Sequence, residues 1–121
     1  MLTRAYRLSK SRDIKRVLRE GKIRSAEQLF AVKFLPNYLP NDRLTVIVSQ
    51  KVSKKATIRN RIRRSLIGAL TIPMLKDGVR HYDSAVIVRG INKENLKKAR
   101  KKFVEIIEAI HGKDTNHKNS R

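Results

Sequence analysis

The sequence predicts an α+β fold, in which a mixed β-sheet carries flanking helices in the order α-β-β-α-β-α. Short apolar runs of strand length alternate with segments whose apolar residues recur three and four positions apart. Clusters of Pro, Gly, Asn and Asp separate these segments. A chain of 121 residues suffices for one compact domain with a modest core. We therefore expect a single domain over residues 1–112 and a polar, disordered tail over residues 113–121.

The first predicted helix covers roughly residues 10–20. Its apolar residues, among them Ile14 and Leu18, keep helical spacing. Ser9 or Ser11 is the expected N-cap, because a serine hydroxyl can accept a hydrogen bond from a free backbone amide.

Three runs rich in β-branched and aromatic residues predict strands at 28–35, 43–49 and 84–89. The turn-rich segment 36–42 separates the first two, so we expect them to form an antiparallel hairpin with a long loop. A second helix is predicted over roughly 56–70. The longest helix is expected to start at an Asn92 cap and to end at Gly112.

The charge of the chain indicates a polyanionic partner. Thirty Lys and Arg residues oppose ten Asp and Glu residues, which gives a net charge of +20. Nucleic acid fits this charge first and an anionic membrane surface second, but no stretch approaches the ~20 apolar residues of a spanning helix. No targeting signal is recognisable, so we expect a cytoplasmic protein that does not bind membranes. The absence of cysteine excludes disulfides and thiolate metal sites.

The predicted second helix is the strongest functional feature. Half of the residues in 51–64 are Lys or Arg, and residues 43–76 contain no Asp or Glu. Arginine suits phosphate because its planar fork donates two parallel hydrogen bonds. Asn60 adds an amide that can donate to and accept from a ribose hydroxyl or a base edge. This pattern is typical of a nucleic-acid-binding helix.

The sequence offers no catalytic machinery and no metal site. It has no Gly-rich phosphate loop, and its acidic residues are scattered, so a two-metal nuclease site would lack ligands. His81 precedes a strand, where we expect a surface or turn role. We therefore expect no catalytic and no metal-ligating residue in this chain.

The basic segment resembles the signature of the bacterial ribonuclease P protein subunit. The resemblance rests on Arg59-Asn60-Arg61, followed by Ile62-Arg63-Arg64 and preceded by Ser53-Lys54-Lys55. Arg7-Leu8 before the first helix, the strand pair, the strand at 86–89 and the long last helix also follow the family's order. The resemblance spans roughly residues 6–110.

This resemblance implies a left-handed β-α-β crossover around the basic helix, although general topology favours the right-handed form. It also implies two partners, the catalytic RNA of ribonuclease P and precursor tRNA. The RNA removes the 5′ leader from the precursor with bound Mg²⁺, so the chemistry is expected from the RNA and not from this chain. The resemblance further implies that the protein binds substrate and helps the RNA work at physiological magnesium.

The resemblance also implies functions for individual residues of this chain. The residues expected to contact the catalytic RNA are Arg59, Asn60, Arg61, Arg63 and Arg64. The first helix and one sheet face are expected to form a cleft for the single-stranded leader. The residues expected in this cleft or at its edge are Ile14, Leu18, Phe30, Val32, Lys33, Lys54, Lys55 and Arg89.

Charge and size also allow a structural ribosomal RNA-binding protein. A DNA-binding protein that reads the major groove with the helix at 56–70 is a third class. A helix-turn-helix would need another helix close before the basic one, but a strand is predicted there, so DNA is not expected as a partner.

Overall fold

The computed structural model describes residues 6–70 and 81–110 and contains seven regular elements. Three are helices and four are strands, in the order α-β-β-β-α-β-α. They are α1 (Ser11–Glu20), β1 (Lys22–Ala26), β2 (Phe30–Pro36), β3 (Arg43–Ile47), α2 (Ala56–Ala69), β4 (Tyr82–Val88) and α3 (Leu96–Glu108). The predicted α+β class with a mixed sheet and flanking helices is confirmed.

The four strands form one sheet in the order β1-β2-β4-β3. β2 is antiparallel to both of its neighbours, whereas β3 and β4 are parallel. The predicted hairpin between residues 28–35 and 43–49 is wrong, because β4 lies between these two strands. The helix α2 forms the connection between parallel strands β3 and β4, and the left hand of this crossover stays a prediction.

The strand β1 was not predicted. Four of its five residues are exposed, since it is an edge strand that pairs only with β2. Its sequence, Lys-Ile-Arg-Ser-Ala, therefore carries no apolar run and only a weak alternation. The true hairpin joins β1 to β2 through a short turn, in which Glu27 adopts a φ of 53°.

The sheet separates two apolar cores of unequal size. The larger core lies between the sheet and the helices α2 and α3, and its fully buried side chains include Phe30, Leu66 and Phe103. The smaller core lies under α1 on the other face, where Leu8, Val17 and Ala85 are buried. Alternate residues of β2 and β4 serve the two cores, as the period of a strand requires.

The predicted bounds of α1 and α2 are confirmed, but the predicted caps differ. Lys10 occupies the N-cap of α1 and no side chain caps it. Asn92 does accept hydrogen bonds, from the amides of Glu94 and Asn95, but it does so in the turn before α3. The expected end at Gly112 and the predicted tail at 113–121 lie outside the described residues.

Candidate nucleic-acid interface

The helix α2 turns one face to the core and the opposite face to solvent. Ile62 and Leu66 are buried, and they anchor the helix against the larger core. Apart from Ala56 and Ile58 in the first turn, the exposed residues recur three and four positions apart and share one outward stripe. We call this the α2 stripe; it consists of Thr57, Asn60, Arg61, Arg64 and Gly68.

Two arginines of the predicted RNA-binding set bind the chain itself. Arg59 donates from Nη1 to the carbonyl oxygen of Ser53 at 3.0 Å, and Arg63 donates from Nε to the carbonyl oxygen of Val46 at 3.2 Å. Both side chains lie at the edge of the apolar face and are half-buried. These bonds tie α2 to β3 and to the loop between them, so Arg59 and Arg63 position the helix.

The other three predicted residues face outward together. Asn60 accepts a hydrogen bond from Nη1 of Arg63 at 2.7 Å, which leaves the two donors of its amide nitrogen directed away from Arg63. Arg61 and Arg64 are exposed and make no hydrogen bond or ion pair with any residue in 6–70 or 81–110. Their guanidinium forks are therefore available to an external anion.

On the other face of the sheet, α1 supplies part of the predicted cleft. Ile14 and Leu18 are half-buried and pack against the smaller core. Lys33 projects from β2 on the same side, and its Nζ donates to the carbonyl oxygen of Leu18 at 2.6 Å. A cation at the last turn of a helix satisfies a free carbonyl and complements the helix dipole. Lys33 therefore fixes the end of α1 against the sheet.

The structure corrects the placement of Phe30 and Val32. Both are 0% exposed and belong to the larger core, on the sheet face opposite α1. The ring of Phe30 meets the ring of Phe103 in α3 edge-on, with centroids 5.8 Å apart. The two residues therefore cannot line a surface cleft beside Ile14 and Leu18. The almost uniformly apolar run around them did not reveal which residues face which side.

The three remaining cleft residues are exposed at one end of the sheet. Lys54 and Lys55 lie in the loop after β3, and Arg89 directly follows β4. Because β3 and β4 are parallel, their carboxyl ends lie at the same end of the sheet. Within this end of the sheet they lie apart: Lys55 is the N-cap residue of α2, whereas Arg89 lines a pocket with Asn95 and Lys98 near the start of α3.

Sequence reasoning missed a cluster of charges that joins α1 to the sheet. Arg43 donates two hydrogen bonds to Asp83, from Nε at 2.8 Å and from Nη2 at 2.6 Å. Its Nη1 lies 3.5 Å from a carboxylate oxygen of Asp13 in α1. The hydrogen bond to Asp83 is the main cause that raises the pKa of Arg43 above its ordinary value. Only the pairing of β3 with β4 reveals this contact, since the partners are 40 residues apart.

The described residues offer no metal centre and no membrane span. No group of three His, Asp or Glu residues in this part of the chain could hold a metal ion. None of the helices found there has the length and apolar character needed to cross a bilayer. Of the surface or turn role expected for His81, the surface placement is wrong, because its side chain is 9% exposed and its Nδ1 lies 3.5 Å from Oδ1 of Asp42.

Known proteins are similar to this chain in sequence. The ribonuclease P protein component of a Synechocystis species is 31% identical in an alignment 123 residues long, which covers 96% of this chain and 97% of the relative. The corresponding Cyanothece protein is 36% identical over 106 residues, with coverages of 74% and 79%.

Solved structures agree with these relatives. The RNase P protein of Staphylococcus aureus superposes with a TM-score of 0.68 at 25% identity, over 85% of this chain and 95% of that protein. The RNase P protein of Thermotoga maritima, solved in complex with 1-(4-fluorophenyl)-2-thiourea, has a TM-score of 0.66 at 28% identity, with coverages of 84% and 97%. The family model for Ribonuclease P matches residues 2–111. The chain therefore belongs to the ribonuclease P protein family.

Proposed function

We propose that this chain is the RNA-binding protein subunit of a ribonuclease P, and that it assists a catalytic RNA in removing the 5′ leader from precursor tRNA. The observation that carries this proposal is the α2 stripe. Arg61 and Arg64 stand exposed beside the Asn60 amide, and the surrounding residues 43–76 contain no acidic side chain. Family membership supplies the identity of the RNA.

The α2 stripe is the face proposed to bind the RNA subunit. Its arginines can each donate paired hydrogen bonds to phosphate oxygens, and Asn60 can donate to a ribose or a base. Arg59 and Arg63 keep the helix fixed while the stripe is engaged, because their bonds go to backbone carbonyls of the protein. A helix that is already fixed loses less conformational entropy when it binds RNA.

The α1 side of the sheet is the face proposed to bind the leader. Ile14 and Leu18 keep part of their apolar surface accessible. Lys54 and Lys55, at the start of α2, and Arg89, after β4, are proposed to extend this face around the end of the sheet with exposed cations. Apolar contacts with bases and cationic contacts with phosphates together suit a single strand. The α2 stripe lies on a helix that packs on the opposite face of the sheet, so the two RNA ligands can be bound at once.

The hydrolytic chemistry is proposed to come from Mg²⁺ ions held by the RNA subunit. This chain's contribution is then to bind and orient. A net charge of +20 brought to two RNA molecules offsets their mutual repulsion and reduces the magnesium that they need.

A binding experiment tests the two-face assignment. The affinity of Arg61→Ala and of a Lys54→Ala, Lys55→Ala double variant is measured for the RNA subunit and for a precursor tRNA with a leader. We expect Arg61→Ala to weaken binding of the RNA subunit more, and the lysine variant to weaken binding of the leader more. Equal losses for both ligands would refute the assignment. Tighter binding of ribosomal RNA than of either ligand would favour a structural ribosomal protein instead.

A further inference from the structure

One aromatic side chain stands apart from the others. The chain has six aromatic residues, three Tyr and three Phe, and all of them lie in the described part. Tyr38, at the tip of the β2–β3 loop, is 88% exposed, whereas the other five are buried or half-buried. Its neighbour Leu39 is 40% exposed. The loop therefore presents the ring of Tyr38 and part of the Leu39 side chain to solvent.

The backbone of Tyr38 is held in an unfavourable conformation. Its φ is 56°, in the left-handed region, which residues other than Gly, Asn and Asp rarely adopt. Asn37 maintains this shape, because its Oδ1 accepts from the amide of Leu39 and its Nδ2 donates to the carbonyl of Asn41. The same Nδ2 donates to Asp83 at 2.9 Å, so the loop is fastened to β4. These hydrogen bonds thus hold the loop in one shape at the position where the aromatic ring is exposed.

The loop adjoins the basic outer surface of α1. Asn37 and Leu39 line a cavity of about 200 Å³ together with Arg16 of α1. The carboxylates in the same cavity, Asp13 and Asp83, are both paired with Arg43. Arg16 also lines a groove on the outer side of α1, and the other residues of that groove are Ser11, Arg12, Lys15 and Arg19. A row of cations thus leads to the edge of the loop that carries Tyr38; within it Arg16 and Arg19 also pair with the exposed carboxylate of Glu20, at 3.9 and 3.1 Å.

We propose that Tyr38 is a stacking platform for an unpaired base of a single RNA strand whose phosphates follow the outer cations of α1. This inference rests on the RNA-binding function proposed above and adds a site to it. An aromatic face accepts any base, and a neighbouring row of Arg and Lys holds the backbone. A protein partner fits less well, because its surface would have to offset a net charge of +20. At this loop the single strand would enter or leave the α1 face at the end of the sheet opposite Lys54, Lys55 and Arg89.

Two substitutions separate stacking from a structural role. Tyr38→Phe keeps the ring, so its affinity for a single-stranded oligoribonucleotide should stay within about twofold of the parent. Tyr38→Asn removes the ring and suits the left-handed backbone, so affinity should fall about 5- to 150-fold while the melting temperature stays equal or rises. Unchanged affinity for Tyr38→Asn would overturn the proposal. A loss of affinity that is accompanied by a lower melting temperature would overturn it too.

A fluorescent reporter observes the contact directly. The chain contains no tryptophan, so Tyr38→Trp introduces a single indole. We expect the oligonucleotide to quench this indole, because a stacked base lies against it. Glu105→Trp is the matched control, since this exposed residue lies on α3, which packs against the other face of the sheet. Equal quenching of both indoles would contradict a local contact at Tyr38.

Titrations with three different RNAs identify which RNA supplies the base that stacks on Tyr38. Tyr38→Asn is titrated with precursor tRNA, with mature tRNA and with the RNA subunit alone. A loss confined to the precursor assigns the base to the leader, and a loss confined to the RNA subunit assigns it there; either supports a stacking site. If all three RNAs bind the parent tightly and Tyr38→Asn equally well, the stacking site fails while the RNA-binding function stands. If the parent binds none of them, the proposed function itself fails.

Discussion

Nε of Arg63 donates to the carbonyl oxygen of Val46 at 3.2 Å, so an arginine of the basic signature is bound to the protein's own strand. Arg61, two residues earlier and on the exposed side of α2, makes no such bond within the described residues. A spacing of two residues corresponds to a rotation of about 200° on a helix, which places these side chains on nearly opposite sides. The signature thus combines arginines that fix the helix with arginines that face a ligand.

The first prediction compares these two arginines. Arg63→Ala should lower the free energy of unfolding by about 1–2 kcal/mol, because it removes a half-buried charged donor and the packing of its stem. Arg61→Ala should change it by less than about 0.5 kcal/mol, yet weaken RNA binding and reduce the slope of log affinity against log salt by about one. Urea denaturation and RNA titrations at several salt concentrations measure both effects. A large loss of stability for Arg61→Ala, together with a loss of RNA affinity only for Arg63→Ala, would show that Arg61 holds the helix and Arg63 binds the RNA.

The second prediction concerns the pair between Arg43 and Asp83. Asp83→Ala should cost about 2–3 kcal/mol of stability, because it leaves a partly buried guanidinium with only the more distant Asp13. Glu20→Ala is the control, since the ion pairs of Glu20 are exposed and should be worth less than about 1 kcal/mol. Denaturant unfolding measures both. Similar small losses for the two variants would mean that the Arg43 pair does not hold α1 and the sheet together.

The third prediction uses two glycines with opposite surroundings. A Cβ on Gly21 would lie 2.6 Å from the carbonyl oxygen of Val17 and 3.0 Å from that of Phe34, so Gly21→Ala should destabilise by about 1–3 kcal/mol. A Cβ on Gly68 would meet nothing within 4 Å, so Gly68→Ala should stabilise α2 by about 0.5–1 kcal/mol. Thermal unfolding measures whether each substitution lowers or raises the stability. Destabilisation by Gly68→Ala would mean that α2 packs differently from the structure described.

The fourth prediction concerns the pH dependence of stability. A hydrogen bond from Lys98 is the main cause that lowers the pKa of Glu27 below its ordinary value of 4.5. A lowered pKa in the folded state means that the carboxylate stabilises the protein above pH 4.5, and that this contribution is lost as pH falls through the folded-state pKa. Glu27→Gln should therefore be less stable than the parent at neutral pH and low salt, and the difference should vanish in more acidic solution. A difference that persists in acid, or that grows with salt, would contradict this account.

Much of the fold was predictable because helical and strand spacing are local properties. The bounds of α1 and α2 and the mixed sheet were predicted from apolar spacing and turn residues. The pairing of the strands was not, since the insertion of β4 between β2 and β3 depends on contacts between distant segments. The edge strand β1 was not predictable, because most of its residues face solvent and form no apolar pattern.

The candidate site shows the same limit. The basic helix and its outward Arg61 and Arg64 were predictable from charge and spacing, but the inward bonds of Arg59 and Arg63 depend on the exact approach of α2 to β3. Phe30 and Val32 were placed in the cleft because an apolar run does not reveal which residues face which side. The loop at 36–42 was predictable from its turn residues, but these do not show that Tyr38 is exposed while Tyr6 and Tyr82 pack against the larger core.

The most direct test of the central claim is cleavage of a precursor tRNA by a bacterial ribonuclease P RNA at low magnesium, with and without this protein. We expect accurate removal of the 5′ leader only when both components are present. We also expect a clear loss of this rescue for the Arg61→Ala, Arg64→Ala double variant, which should fold normally. If the folded parent protein fails to rescue an RNA that is active at high magnesium, the chain does not act as the ribonuclease P subunit proposed above.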